Sequence, residues 1–232
     1  MRKIVAVLAM EHYNHRFWAD VKSRLAPHAE LQNFTDHDLE TQNPSLADAL
    51  KDADCIFASM ITFKSHAEWL RAQVERSHAT TVFAFESMPE VMALTKVGSF
   101  APKGTGSGMP ESVKKVTKLL VRGRDEDTLY GYLKLLKLMR TLLPLIPDKA
   151  RDFKNWMQVY AYWLQPISDN IVSMFKLILR EYFGAALEVP PLIEIPTMGL
   201  YHPDAHLDGT EYFKDIRQFF SWQAKHLRQA WH

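Results

Sequence analysis

His202 and His206 stand four residues apart, with Asp204 and Asp208 interleaved. On a helix that spacing would set two imidazoles and a carboxylate on one face, a donor set for a divalent metal. Pro203 and Gly209 make the stretch a turn instead, and we read it as an ordinary polar loop with no metal site. Ser87, in Glu86-Ser87-Met88-Pro89-Glu90, follows an apolar run as the serine of a nucleophile elbow would. That motif needs glycines two residues either side of the serine, where Phe85 and Pro89 stand here. The expected role of Ser87 is to cap a helix that Pro89 opens and whose dipole Glu90 complements. Gly104-Thr105-Gly106-Ser107-Gly108 could cradle a phosphate through its amides. It lacks the Lys-Ser/Thr ending of a phosphate loop and does not follow a strand, so it reads as a connector. Phe153, Trp156, Tyr160, Tyr162 and Trp163 gather rings on one segment, either to stack on a flat ligand or to fill a core between helices.

Charge excludes some partners. Lys and Arg number 28 against 27 Asp and Glu, a formal net charge of +1, which leaves no electrostatic footprint for nucleic acid or an anionic membrane. The basic set Lys114, Lys115, Lys118, Arg122 and Arg124 is answered by Asp125, Glu126 and Asp127, as on a solvated face. Cys55 is the one cysteine, so the chain can build neither an internal disulfide nor a thiolate zinc site, and a reducing cytoplasmic compartment fits. Ile4 to Met10 is followed at once by Glu11, His12 and Asn14, which makes it a buried strand rather than the core of a signal peptide. The longest apolar candidate for a membrane span, Leu129 to Pro147, is interrupted by Lys134, Lys137 and Arg140; a soluble chain with no integral span is expected.

The elements that would position these residues alternate over the first hundred positions. Four strands are expected, at Ile4 to Met10, Glu30 to Phe34, Cys55 to Ile61 and Thr81 to Phe85. Helices are expected between them at Arg16 to Leu25, with Phe17, Val21 and Leu25 on one face, at Ser45 to Lys51, capped by Ser45, and at Ser65 to Arg76. The continuous apolar runs of the first, third and fourth strands suit a parallel sheet covered on both faces. Such a sheet presents its ligand loops at the strand carboxyl ends, which puts His12, Ser87 and Glu90 among the candidate ligand residues, with His15 close by. Helices follow at Pro110 to Val121, Asp125 to Leu143, Lys149 to Leu164 and Ser168 to Phe183, then a strand at Leu192 to Ile195 and a last helix at Glu211 to Arg228. The expected class is α/β: a flavodoxin-like parallel sheet with flanking helices over 1–100, a linker or loop over 101–109, a helical subdomain over 110–188, and a further region over 189–232.

Longer strings carry a resemblance. Ser87-Met88-Pro89-Glu90-Val91-Met92-Ala93-Leu94-Thr95-Lys96-Val97-Gly98-Ser99-Phe100 resembles a segment of the magnesium chelatase H subunit family. In the same order, Leu138 to Pro144, Ile146 to Asp152, Tyr162-Trp163-Leu164 with Ser168-Asp169-Asn170, and Gly199-Leu200-Tyr201-His202-Pro203 are similar to the stretch leading into the region shared with cobalt chelatases. H subunits are very large chains, so a fragment or a truncated paralogue is expected, and Gln165-Pro166-Ile167 stands where many relatives carry glycine-glycine-serine. The resemblance implies a role in chlorophyll or bacteriochlorophyll synthesis, where Mg²⁺ is inserted into protoporphyrin IX while AAA+ I and D partner subunits hydrolyse ATP. It implies that the residues handling metal and porphyrin lie mostly downstream of this chain, with no catalytic residue or resident cofactor within it. Trp156, Tyr160, Trp163, Tyr201 and His202 are candidate porphyrin contacts by their own side-chain chemistry and are not carried over from the family. The alternatives are a free-standing flavodoxin-like protein that binds a small ligand, and a porphyrin carrier.

Overall fold

The computed structural model describes residues 1–9, 15–101, 150–194, 199–202, 205, 213 and 215–226. The expected helices at Pro110 to Val121 and Asp125 to Leu143, and the linker beyond Ala101, lie outside them.

Four parallel strands, β1 (Arg2–Leu8), β2 (Ala29–Thr35), β3 (Cys55–Ser59) and β4 (Thr81–Phe85), form one sheet in the order β2-β1-β3-β4. In register, Leu8 pairs with both Thr35 and Ser59, and Ser59 pairs with Phe85. Alternation divides the apolar runs between two cores. Ile4, Ala6, Leu8, Cys55, Phe57, Phe83 and Phe85 face one, and Val5, Val7, Ile56, Ala58, Val82 and Ala84 face the other. The order is that of the first strands of a flavodoxin-like doubly wound sheet, as expected.

On the first face lies α1 (His15–Leu25), which buries Trp18, Val21 and Leu25; Phe17, expected to lead that stripe, is half-buried beside Trp18. Against the same core pack α6 (Arg151–Trp163) and α7 (Ser168–Phe183), whose apolar stripes meet. The second face is covered by α2 (Asp36–Glu40), α3 (Pro44–Lys51), α4 (Lys64–Arg76) and α5 (Pro89–Met92). The sequence pattern alone does not reveal α2, although Thr35 and Asp38 form a capping box at its start. In α3 the cap is Asn43, not Ser45: Pro44 takes the first helical position, which suits its fixed φ, and the Asn43 side chain accepts from the Ser45 N–H. Gly184 ends α7 at φ 70, a left-handed conformation that glycine adopts without a Cβ penalty.

The strand expected at Leu192 to Ile195 is irregular over its described residues. Pro190 and Pro191 lack the N–H groups a ladder needs, and the Pro190 carbonyl instead accepts from the Tyr162 hydroxyl at 2.6 Å. Met1–Leu192 makes one compact unit and Ile193–His232 another. In the second, Leu200 bridges to Phe213, and α8 (Ile216–His226) packs Trp222 with Phe213 and Ala205. α8 starts later than expected because Asp215 accepts from the Arg217 and Gln218 N–H groups and so sets its first turn. No helix among the described residues is long and apolar enough to cross a membrane.

Candidate functional site

The parallel sheet ends in a rim of unusual backbone. Directly after the paired residues Ser59 and Phe85 come Met60, at φ 65, and Glu86, at φ 48. Two non-glycine residues in the left-handed region, each costing of order 1–3 kcal/mol, persist only where their surroundings fix them. Here a short ladder does so: the Met60 N–H donates to the Phe85 carbonyl at 3.4 Å and the Met88 N–H to the Ile61 carbonyl at 2.8 Å. Ser87 completes it. Its hydroxyl accepts from the Ile61 N–H at 3.1 Å and donates to the Phe85 carbonyl at 2.8 Å.

Ser87 therefore does not cap α5. Met88 holds the cap position without a side-chain bond, because the Ser87 hydroxyl is used in joining the β3 and β4 ends. Nor is it poised as a nucleophile, since it donates to a carbonyl rather than to a base. Pro89 and Glu90 occupy the first turn of α5 as expected, and Glu90 Oε2 is buried without a partner.

The Glu86 carboxylate accepts from the Tyr160 hydroxyl and from Trp163 Nε1, both at 3.4 Å. These donors come from the last turn of α6, so the aromatic segment singled out in the sequence does reach the rim. Its rings are occupied by protein. Tyr160 stacks on Phe85 with centroids 4.7 Å apart, Trp156 packs on Phe85, Phe100 and Phe153, and Trp163 meets the Phe57 ring at 4.9 Å. Trp156 and Tyr160 are 4% and 6% exposed, so a flat ligand could stack on them only if the core opened; Trp163 is half-buried. His12 lies outside the described residues, while His15 is exposed at the start of α1.

The other candidates belong to the second unit. Tyr201 is 61% exposed, whereas His202 is half-buried with its ring 4.7 Å from that of Trp222. Asp204, His206 and Asp208 lie outside the described residues, among which no group of three or more His, Cys, Asp or Glu could hold a metal. Cys55 is fully buried in β3, and burial, then the neighbouring Asp54 charge, pushes its thiol far up.

Two features of the rim escape sequence reasoning. Glu86 reads only as part of a loop, since nothing local to it announces donors arriving from α6. Ser59 is the one polar residue of the run Cys55-Ile56-Phe57-Ala58-Ser59, and that signal is present in the sequence; it is fully buried and its hydroxyl has no partner.

Residues 3–157 match the family described as "Domain of unknown function (DUF3479)", and residues 160–231 match that described as "CobN/Magnesium Chelatase". The magnesium-chelatase H subunit of Chlorobaculum parvum is 56% identical over 225 residues, covering 97% of this chain and 17% of that protein. The magnesium-chelatase H subunit of Rhodobacter capsulatus is 27% identical over 179 residues, covering 71% of this chain and 14% of that protein. The corresponding chloroplastic magnesium-chelatase protein of Oryza sativa subsp. indica, ChlH, is 29% identical over 192 residues, covering 80% and 13%. The chain thus spans less than a fifth of the length of these curated relatives.

Proposed function

We propose, from the premise that the chain belongs to the family described as Domain of unknown function (DUF3479) and is homologous to the N-terminal region of the magnesium-chelatase H subunit, that it assists porphyrin handling in such a chelatase. The observation that carries this is the 56% identity sustained over 97% of the chain. The larger assembly would insert Mg²⁺ into protoporphyrin IX with ATP hydrolysed by AAA+ I and D partner subunits, in the cytoplasm or its plastid equivalent. This region would gate porphyrin access or dock those partners, and would supply no chemical step of its own. The Ser87 hydroxyl, engaged with backbone on both sides, supports that division. Within the first unit, Trp163, half-buried, and the packed rings of Trp156 and Tyr160 are proposed to meet porphyrin; Tyr201 and His202 are proposed contacts of the second unit by itself.

Titration of the purified chain with deuteroporphyrin, followed by tryptophan fluorescence and the porphyrin absorption band, tests for direct contact. Saturable binding near micromolar, roughly −8 kcal/mol, is the outcome expected if the region touches porphyrin. The matching region is then deleted from an intact H subunit. Altered porphyrin affinity or chelation rate with chelation retained is expected; unchanged affinity and rate together would sink the proposal.

A further inference from the structure

In a doubly wound sheet the ligand crevice opens outside the strand carboxyl ends where the strand order reverses. Here β2 and β3 lie on opposite sides of β1, so that point falls between the paired residues Leu8 and Ser59. Ser59 is the last residue of β3, and by alternation its side chain shares the face of Cys55 and Phe57, the face covered by α1 and α6. It is fully buried, and its hydroxyl has no partner. Asn33 of β2 shares that face with Ala29 and Leu31; the residue is half-buried, its amide atoms are buried, and neither end of the amide is paired. The chain leaves β1 at Leu8 and enters α1 at His15, so the start of α1 belongs to the same edge. Its first turn holds no acidic residue and carries His15 and Arg16 instead.

Each of these features is unfavourable by itself. A buried hydroxyl or amide without a partner forfeits its hydrogen bonds to water, and the Arg16 charge at a helix start opposes the dipole. We propose that Ser59, Asn33 and the cationic start of α1 form a crevice at the β1/β3 switch point that binds an oxyanion, either a carboxylate on a tetrapyrrole or a phosphate group. A bound oxyanion accepts from the Ser59 hydroxyl and offsets the charge of Arg16, while the Asn33 amide, which stands opposite Ala6 and so further from the strand ends, faces the crevice from β2. Glu86 stands one strand further along, its carboxylate already accepting from Tyr160 and Trp163. The crevice rests on the porphyrin proposal only for which molecule delivers the oxyanion.

The test compares binding of deuteroporphyrin, its neutral dimethyl ester and inorganic phosphate to the whole chain, to Ser59→Ala and to Asn33→Asp. Deuteroporphyrin is expected to bind more tightly than its ester, and Ser59→Ala to weaken it about tenfold, as loss of a hydrogen bond to a charged group would. The thermal midpoint of Ser59→Ala should be unchanged or raised, because the hydroxyl it removes is unpaired in the folded chain. Asn33→Asp should weaken binding further by placing like charge in the crevice. If phosphate binds and Ser59→Ala abolishes this while neither porphyrin binds, the crevice stands and porphyrin contact falls. If diacid and ester bind alike and Ser59→Ala changes neither, porphyrin contact stands and the crevice is overturned. Absence of binding by porphyrin and phosphate alike overturns it as well.

Discussion

Asp152, in the first turn of α6, accepts both the backbone N–H and the hydroxyl of Ser99 on a single oxygen, each at 2.7 Å. Its other oxygen accepts from the Tyr182 hydroxyl of α7 at 3.3 Å. The turn that follows α5 is thereby tied to α6 and α7.

The neighbouring glycine is what lets the carboxylate come so close. Gly98 sits at φ 56, and a Cβ there would collide with the Asp152 carboxylate. Gly98→Ala should therefore cost left-handed strain and part of the Asp152 clamp together, about 2 kcal/mol or more. Gly184 is the control. Its φ of 70 is equally left-handed but nothing lies within 4 Å of its missing Cβ, so Gly184→Ala should cost about 1 kcal/mol. Urea unfolding of the two variants measures the difference, and equal costs would show that the close approach to Asp152 carries no energy.

The same clamp predicts a response to acid. Burial alone would push the Asp152 carboxyl up, but the Ser99 N–H and hydroxyl, then Tyr182, and then the Arg151 charge outweigh it and hold the group below the usual carboxylate range. A carboxyl depressed on folding contributes stability that is fully present above its unfolded pKa of roughly 4 and is lost as pH falls through the folded value. Wild type should thus exceed Asp152→Asn in stability by a constant margin near neutrality, and the margin should shrink below about pH 4. A margin independent of pH down to about 2 would deny the carboxylate this role.

How far these features can be read from the sequence depends on how local their causes are. The strands at Cys55 and Thr81 and the helix Ser168–Phe183 are legible because each rests on its own periodicity and ends. The cap of α3 turns on a choice between two nearby polar residues, Asn43 and Ser45, which the intervening Pro44 decides. The strand expected at Leu192 fails because its apolar pattern is overruled by Pro190 and Pro191 and by the Tyr162 hydroxyl arriving from α6. At the rim, Ser87 lies in the expected loop but in a different role. Its partner, the Ile61 N–H, is 26 residues away, and nothing around either residue encodes the meeting.

That meeting can be tested one hydrogen bond at a time. Ser87→Ala leaves the buried Ile61 N–H without its acceptor at 3.1 Å, while the Phe85 carbonyl loses its 2.8 Å donor and keeps the longer bond from the Met60 N–H. A loss of about 1–3 kcal/mol is expected, the usual cost of stranding a buried backbone group. Hydrogen exchange localises it: the Ile61 amide should lose protection while the amides of α1 keep theirs. Retained protection at Ile61 would mean that the ladder holds the β3 end without Ser87.

Tyr160 separates the rim from the core behind it. Tyr160→Phe keeps the ring stacked on Phe85 and removes the long hydrogen bond, 3.4 Å, to Glu86, a loss that should cost less than about 1 kcal/mol. Tyr160→Ala empties a site that is 6% exposed among Phe85 and Trp156, and about 3–5 kcal/mol is expected, as for other large aromatic truncations. Chemical unfolding of both variants gives the ratio directly. Should phenylalanine prove nearly as costly as alanine, the hydroxyl rather than the ring would be what matters. Glu86, held at φ 48, would then owe its left-handed turn to the donor from α6 and not to the ladder through Ser87.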